Sequence, residues 1–428
     1  MPVYKKLELN MTLSPAKKTK SIIIFALYAL CLGALIGAFI WAFLWVMGKG
    51  IGLVWDALPA ALFGTDHMSN VIYTVAICLV GGVVIGVFQK KFGQFPENME
   101  SVMAKVKRDG RYPYDKTLLI TLMALLPLVF GGSLGPEAGL TGVIVGLCYW
   151  AGDHFKYAKN NIMDLAQIGI SATIGVVFRT PLFGFIMPIE SRVDEDKSYT
   201  VPKASKTIIY LVAILGGVGV FFGLSSLIGG GMSFASFSAA QFSVRELIFA
   251  IPCAIAGFIG ALIFSASKKV SSKLMGALGK KYVLKAVIGG AVLAVLALVL
   301  PYMQFSGEAE MGELMLDYKL YTAGVLLLIG ALKAALTAFV IESGWRGGHF
   351  FPIIFSGVAI GYGVATLFGC DPVFCVMVTC AALVGATLKK PVAAAMLLLL
   401  CFPISGLLYM IPAAFLGSVI PMPRALKG

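Results

Sequence analysis

Uncharged apolar runs recur along the whole chain, at residues 21–45, 71–88, 207–244, 247–267, 286–307, 350–370 and 391–423. A helix that crosses a bilayer needs about 20 apolar residues, so these runs predict on the order of ten to fourteen hydrophobic helices. The expected fold class is all-α. Hydrophobic residues make up 59% of the 428 and charged residues 13%, with a mean hydropathy of +0.91. That balance leaves no stretch from which a soluble domain could form.

A net charge of +13 invites a nucleic-acid reading, but the basic residues sit in short loops between apolar runs. They report orientation instead. Lys5, Lys6, Lys17, Lys18 and Lys20 form one cluster, a second runs from Lys90 to Lys116, and a third from Lys268 to Lys285. The loop 301–320 is acidic, with Glu308, Glu310, Glu313 and Asp317. The positive-inside rule then places the N-terminus in the cytoplasm of a multi-pass protein of the cell membrane. Residues 1–20 read as a cytoplasmic segment, and 21–45 as a retained helix, since no small-residue cleavage site accompanies it. Residues 21–428 read as one transmembrane domain, with repeat halves of roughly 21–206 and 207–428 and no regulatory domain appended. The eight cysteines, none in CxxC spacing, read as small buried hydrophobes, with a Cys370–Cys375 disulfide the less favoured alternative. No metal or cofactor is expected.

Residues 117–150 carry a single charge, Glu137. A straight helix of that length would span about 50 Å, too long for one crossing and too short for two. Gly131, Gly132, Gly135 and Pro136 mark a break, with one helix ending near Phe130 and another starting near Glu137. Broken helices are tolerated in lipid where the freed backbone is buried in protein or faces a water-filled cavity. A second break lies at residues 344–352, Gly-Trp-Arg-Gly-Gly-His-Phe-Phe-Pro. The halves share a later signature too: Pro181 and Pro391 each follow a glycine by six residues, with basic residues just before the proline. Matched interruptions of this kind point to a repeat-built transporter with its site at the repeat interface. Gly33 and Gly37 suit close helix packing and carry no function of their own.

Helix N-termini expose unpaired backbone N–H groups and a positive end charge, so two of them meeting at mid-membrane could cradle an anion without a lysine or arginine. Glycine lets the backbone approach the ion, and proline suits a first helical position whose N–H would be free anyway. A carboxylate at such a place is a functional group by default, because ionising it in lipid is costly unless compensated. The bland alternative for Glu137 is a helix-capping side chain.

Gly135-Pro136-Glu137-Ala138-Gly139 resembles the Gly-Arg-Glu-Gly-Pro gate motif of the CLC family of anion channels and anion/proton antiporters. Gly347-Gly348-His349-Phe350-Phe351-Pro352 is similar to its Gly-x-Phe-x-Pro motif, and Phe178-Arg179-Thr180-Pro181-Leu182-Phe183-Gly184 to its Phe-Asn-Ala-Pro-Leu-Ala-Gly stretch. The three occur in the family's order, the similarity covers nearly the whole chain, and the Gly-Pro-Glu form resembles a bacterial branch of ion-transport proteins. The resemblance implies two inverted-topology repeats with broken and re-entrant helices, a homodimer in lipid with one pathway per subunit, and passage of an inorganic anion, chloride or fluoride. It makes Glu137 the gate, competing with the anion for backbone amides until protonation swings it out. Gly93, Gly135, Gly348, His349, Phe350 and Phe351 would line the anion site with it. If the proton on Glu137 crosses the membrane, the protein is an antiporter; if not, a channel.

Three departures stand out. Gly93 occupies the place of a family serine, the family's closing tyrosine has no counterpart, and its inner proton glutamate falls on Ser191, with Glu190 one residue earlier. Glu190 is either a proton relay or a cap for its own helix end, paired with Arg192. His349 is either an anion donor or pH sensor, or an exposed ring at a helix mouth. Phe350 and Phe351 line a pore or simply pack. Arg179, Arg346, Lys389 and Lys390 draw anions to the vestibules or anchor the interface. Two other classes compete: an intramembrane enzyme using Ser133 with His349 as a serine-protease-like dyad, and a cation carrier centred on Glu137.

Overall fold

The computed structural model describes residues 15–64, 67–97, 99–109, 111–154, 162–190, 203–231, 234–240 and 244–426. Lys5 and Lys6, and Ser191 and Arg192, lie outside the described residues. The apolar runs form helices over most of their described length, leaving out stretches such as residues 234–240 and 300–307. The first half holds α1 (Pro15–Gly52), α2 (Leu58–Phe63), α3 (His67–Phe92), α4 (Met99–Asp109), α5 (Thr117–Val129), α6 (Glu137–His154), α7 (Ile162–Val177), α8 (Pro181–Glu190) and α9 (Lys203–Ile228). The second holds α10 (Val244–Ala277), α11 (Tyr282–Val299), α12 (Glu308–Asp317), α13 (Ala323–Glu342), α14 (Phe350–Phe368), α15 (Pro372–Leu388), α16 (Pro391–Leu398) and α17 (Leu407–Val419). Among the described residues, 7 helices are long and apolar enough to cross a membrane, and several apolar ones are too short. The fold is all-α and multi-pass.

The expected repeat boundary at 206/207 falls inside α9. That helix packs on α1 through Gly33 and Gly37, which lie against the Ala213 and Gly217 backbone so closely that neither has room for a Cβ. Close packing of small residues is what holds helices together where lipid removes the hydrophobic drive. It joins α9 to the first half, so the boundary fits the 228–244 connection instead.

Both predicted breaks are present. Helix α5 ends after Val129, where Gly131 turns left-handed at φ +78°. Helix α13 ends after Glu342, where Gly344 does the same at φ +107°. Left-handed glycine is the usual terminator of a helix, since a Cβ would be strained there. Each break then turns the chain back: Gly139 lies against Ala124, and Gly146 near Thr117, in the α5–α6 hairpin, while Gly330 lies against Ser356 and Ile360, and Gly363 against Leu327, in the α13–α14 hairpin. The α5–α6 hairpin opens toward the basic segment 105–116 and the α13–α14 hairpin toward the acidic segment 301–320, so the two enter from opposite faces. This is the inverted topology. Leu35, Ile72, Ile248, Ile251 and Val295 on α1, α3, α10 and α11 are exposed, whereas α14 and α15 are buried along most of their length. Lipid-facing helices thus surround a central pair.

Candidate functional site

The tips of the two hairpins meet. Gly135 N–H donates to Gly348 O at 2.9 Å and Gly348 N–H returns a bond to Gly135 O at 2.7 Å, a two-residue antiparallel bridge. Two residues on, Glu137 begins α6 and is 7% exposed. Its Oε1 accepts from the N–H of Phe350, the first residue of α14, at 2.8 Å. The carboxylate therefore caps the N-terminus of the helix in the opposite half, where free amides and the positive helix end favour a negative charge. Its Oε2 is buried without a hydrogen-bond partner in the protein. A Cβ on Gly135 or Gly348 would overlap this carboxylate, so the two glycines make the space it occupies.

An aromatic cluster closes one side. Phe351 is fully buried and stacks on Phe178 (4.9 Å between centroids) and Phe234 (5.4 Å), and Phe350 meets Phe178 edge-on at 5.7 Å. Phe178 reaches this position from the α7–α8 turn, which Arg179 completes with a left-handed backbone at φ +50°. The Arg179 guanidinium lies over Phe222 (4.9 Å), Phe221 and Phe234, a cation–π arrangement that keeps the charge near the cluster.

The remaining sequence candidates are placed differently. His349 precedes α14, but its ring stacks on Phe264 of α10 at 5.3 Å, so it is half-buried packing and not the exposed ring at a helix mouth. Gly93 lies clear of the glycine pair, since a Cβ there would touch Phe95 alone; its neighbour Gln94 accepts from Arg346 at 2.6 Å, which puts this turn beside the second break. Lys389 donates to the carbonyls of Ser418 and Ile420 at the end of α17, as a basic side chain does at a helix C-terminus. Glu190 corrects the expectation that it caps its own helix: its carboxylate accepts from Val392 N–H (3.2 Å) and Ala393 N–H (2.7 Å), at the start of α16. The α16 N-terminus offers two free amides, which local sequence around Glu190 gives no hint of. Ser133 bonds Thr337 at 3.0 Å, so the serine–histidine dyad is not assembled. None of the eight cysteines forms a disulfide, Cys370 and Cys375 included.

Two buried charges escaped the sequence reading. Lys333 sits within α13, 0% exposed, and its ammonium donates to the carbonyls of Gln304 (2.7 Å), Tyr302 (2.8 Å) and Phe305 (2.9 Å), with Met303 O at 3.3 Å. Glu308, 8% exposed, starts α12. Lys333 was open to discovery by the signal that singled out Glu137, a lone charge inside an apolar span; Glu308 was hidden among the acidic residues of what read as a surface loop.

Comparison with known proteins agrees with this architecture. The profile of the voltage gated chloride channel family matches residues 81–421. The ion-transport protein YfeO of Escherichia coli is 27% identical over 72% of this chain and 71% of its own. The chloride channel protein CLC-e of Arabidopsis thaliana is 24% identical over 74% of this chain and 46% of its own. Among solved structures, a CLC-type fluoride/proton antiporter superposes with a TM-score of 0.74 at 18% identity, covering 94% of this chain and 96% of that one. A slow cyanobacterial Cl-/H+ antiporter does so at 0.75 and 16%, covering 92% and 94%. These place the fold, and the family profile places the chain: it belongs to the voltage gated chloride channel family.

Proposed function

We propose that Glu137 gates the anion pathway by occupying the anion's own place. The observation that carries this is the bond from Phe350 N–H to Glu137 Oε1: a negatively charged group bound at a helix N-terminus marks where another anion would bind. Protonation removes the charge that the helix end attracts. The side chain then leaves, and a chloride or fluoride ion takes the amides and the space between Gly135 and Gly348. Without a hydroxyl at Gly93, backbone N–H groups and water supply the donors. A cation carrier is disfavoured, because the same helix end repels positive charge.

Glu190, tied to the α16 N-terminus in this arrangement, serves as a fastening between the halves rather than as a proton relay. One subunit holds a whole candidate pathway, so a homodimer would carry two independent ones. Protein reconstituted in liposomes tests the gate: anion efflux should be faster at acidic than at neutral pH, and Glu137→Gln should abolish that dependence. Flux that is absent under every gradient, or a mutant with the wild-type pH response, overturns the reading. Proton uptake driven by an outward anion gradient would identify an antiporter.

A further inference from the structure

The segment joining α11 to α12 is held far more firmly than a connecting loop requires. Phe305 N–H donates to Gly131 O in the first break at 3.0 Å. Gly307, left-handed at φ +94°, lies so near Phe355 of α14 that a Cβ there would clash with that side chain. Lys333 grips the carbonyls of residues 302–305 from α13. Tyr302 and Phe305 both adopt left-handed φ, a conformation that costs bulky residues on the order of 1 kcal/mol or more and that the ammonium's hydrogen bonds offset. Together these contacts hold Glu308 inside the protein, against the helix whose first turn binds Glu137.

The surroundings of Glu308 are incomplete for a merely structural carboxylate. Ser306 Oγ donates to its Oε1 at 3.0 Å, while Oε2 is buried with no hydrogen-bond partner in the protein. Glu137 Oε2 is in the same condition, and α14 brings the two carboxyl groups to one region: Glu137 takes the amide of Phe350 at its first residue, and Gly307, next to Glu308, lies against Phe355 on the same helix. Among the described residues, the other titratable or charged groups that act on Glu308 electrostatically are Arg179 from the α7–α8 turn, Cys401 beyond α16 and Glu310 on its own helix. Arg179 is the one cation among them. It rests on aromatic rings, and no salt bridge joins it to Glu308 among the described residues. Glu310 Oε2, two residues on, is buried without a hydrogen-bond partner as well, and a negative charge on one of these carboxyl groups disfavours a charge on the others in the protein interior.

We propose that Glu308 is the proton relay of the acidic face, loading and unloading Glu137. The carboxylic acid at Glu308 Oε2 passes its proton through water to Glu137 Oε2. Glu308 becomes the carboxylate, Glu137 becomes neutral and leaves the Phe350 amide, and bulk water on the acidic face reprotonates Glu308. For each proton passed to Glu137 one enters from water to Glu308, the hydrogen bond from Phe350 N–H is given up, and no other covalent bond changes. Arg179 steadies the negative charge while it resides on Glu308.

This rests on the gate reading of Glu137, and the experiment separates the two. In proteoliposomes with pH set independently on each side, Glu308→Gln, which keeps an acceptor for Ser306, should retain anion efflux at acidic pH. Its response to pH on the acidic face should be lost, along with at least tenfold of any coupled proton movement, while the response on the basic face is kept. A wild-type acidic-face response in Glu308→Gln overturns the relay if Glu137→Gln has lost its own pH response. If Glu137→Gln is also unchanged, the gate itself has failed. Should Glu308→Gln not fold, Glu308→Asp decides: a shifted acidic-face profile at unchanged maximal efflux supports the relay, and a wild-type profile refutes it.

Discussion

A single methyl group at Gly348 should evict the Glu137 carboxylate, the gate proposed above, from the Phe350 amide. The backbone there is not left-handed, so alanine introduces no strain in the chain, but its Cβ would overlap the Glu137 carboxyl group. That group is the end of a flexible side chain and can yield, whereas the bridge between Gly135 and Gly348 holds the backbone in place. Eviction sacrifices the bond from Phe350 N–H, a hydrogen bond to a charged group contributing about 1.5–3 kcal/mol. At about 1.4 kcal/mol per tenfold, the balance between occupied and vacated gate shifts by about 10- to 150-fold. Efflux from proteoliposomes at neutral and acidic pH measures this: Gly348→Ala should lose most of the difference between them. Because the methyl group also takes up room, the comparison needs Gly348→Ala in a Glu137→Ala background, where it should add no further change in pH response. Gly276→Ala in α10, where a Cβ meets open space, is the control and should behave as wild type. A Gly348→Ala protein with the wild-type pH response, or effects that add in the double variant, would refute the reasoning.

Lys333→Met should destabilise the protein by about 1–3 kcal/mol for each buried carbonyl left without a donor, read as denaturant unfolding in detergent. Lys333→Arg should not restore it, since a planar guanidinium cannot converge on the four carbonyls as an ammonium does. Glu190→Ala removes the cap on α16 and should cost about 0.5–2 kcal/mol of stability while leaving the pH response of anion efflux intact; loss of that response would return Glu190 to the proton path. Arg179→Gln should slow efflux at low anion concentration and have little effect at saturation, because it acts on local ion concentration; equal slowing at both would assign it to the rate-limiting step.

Several conclusions were readable from residues alone, for reasons that are local. Apolar runs of bilayer length specify helices wherever they occur, and a lone carboxylate beside Gly-Pro in a run too long for one crossing marks both a break and a group with a purpose. That logic reached Glu137, both helix breaks and the all-α class. Applied again, it would have reached Lys333, the lone charge in the interior of α13, whose other charged residue, Glu342, is its last.

What the tertiary structure decided depends on pairs distant along the chain. Glu137 and Phe350 are 213 residues apart, and Glu190 and Ala393 are 203, so no window of sequence contains either capping bond. His349 falls in the motif that resembles the family's Gly-x-Phe-x-Pro, yet its ring lies on Phe264, because a side chain's direction is set by the helix packed against it. The sequence by itself determined that this chain lives in lipid and breaks two of its helices. Only the fold decided that the carboxylate of one break neutralises the helix end of the other, since a free amide is satisfied by whatever acceptor three-dimensional packing brings to it.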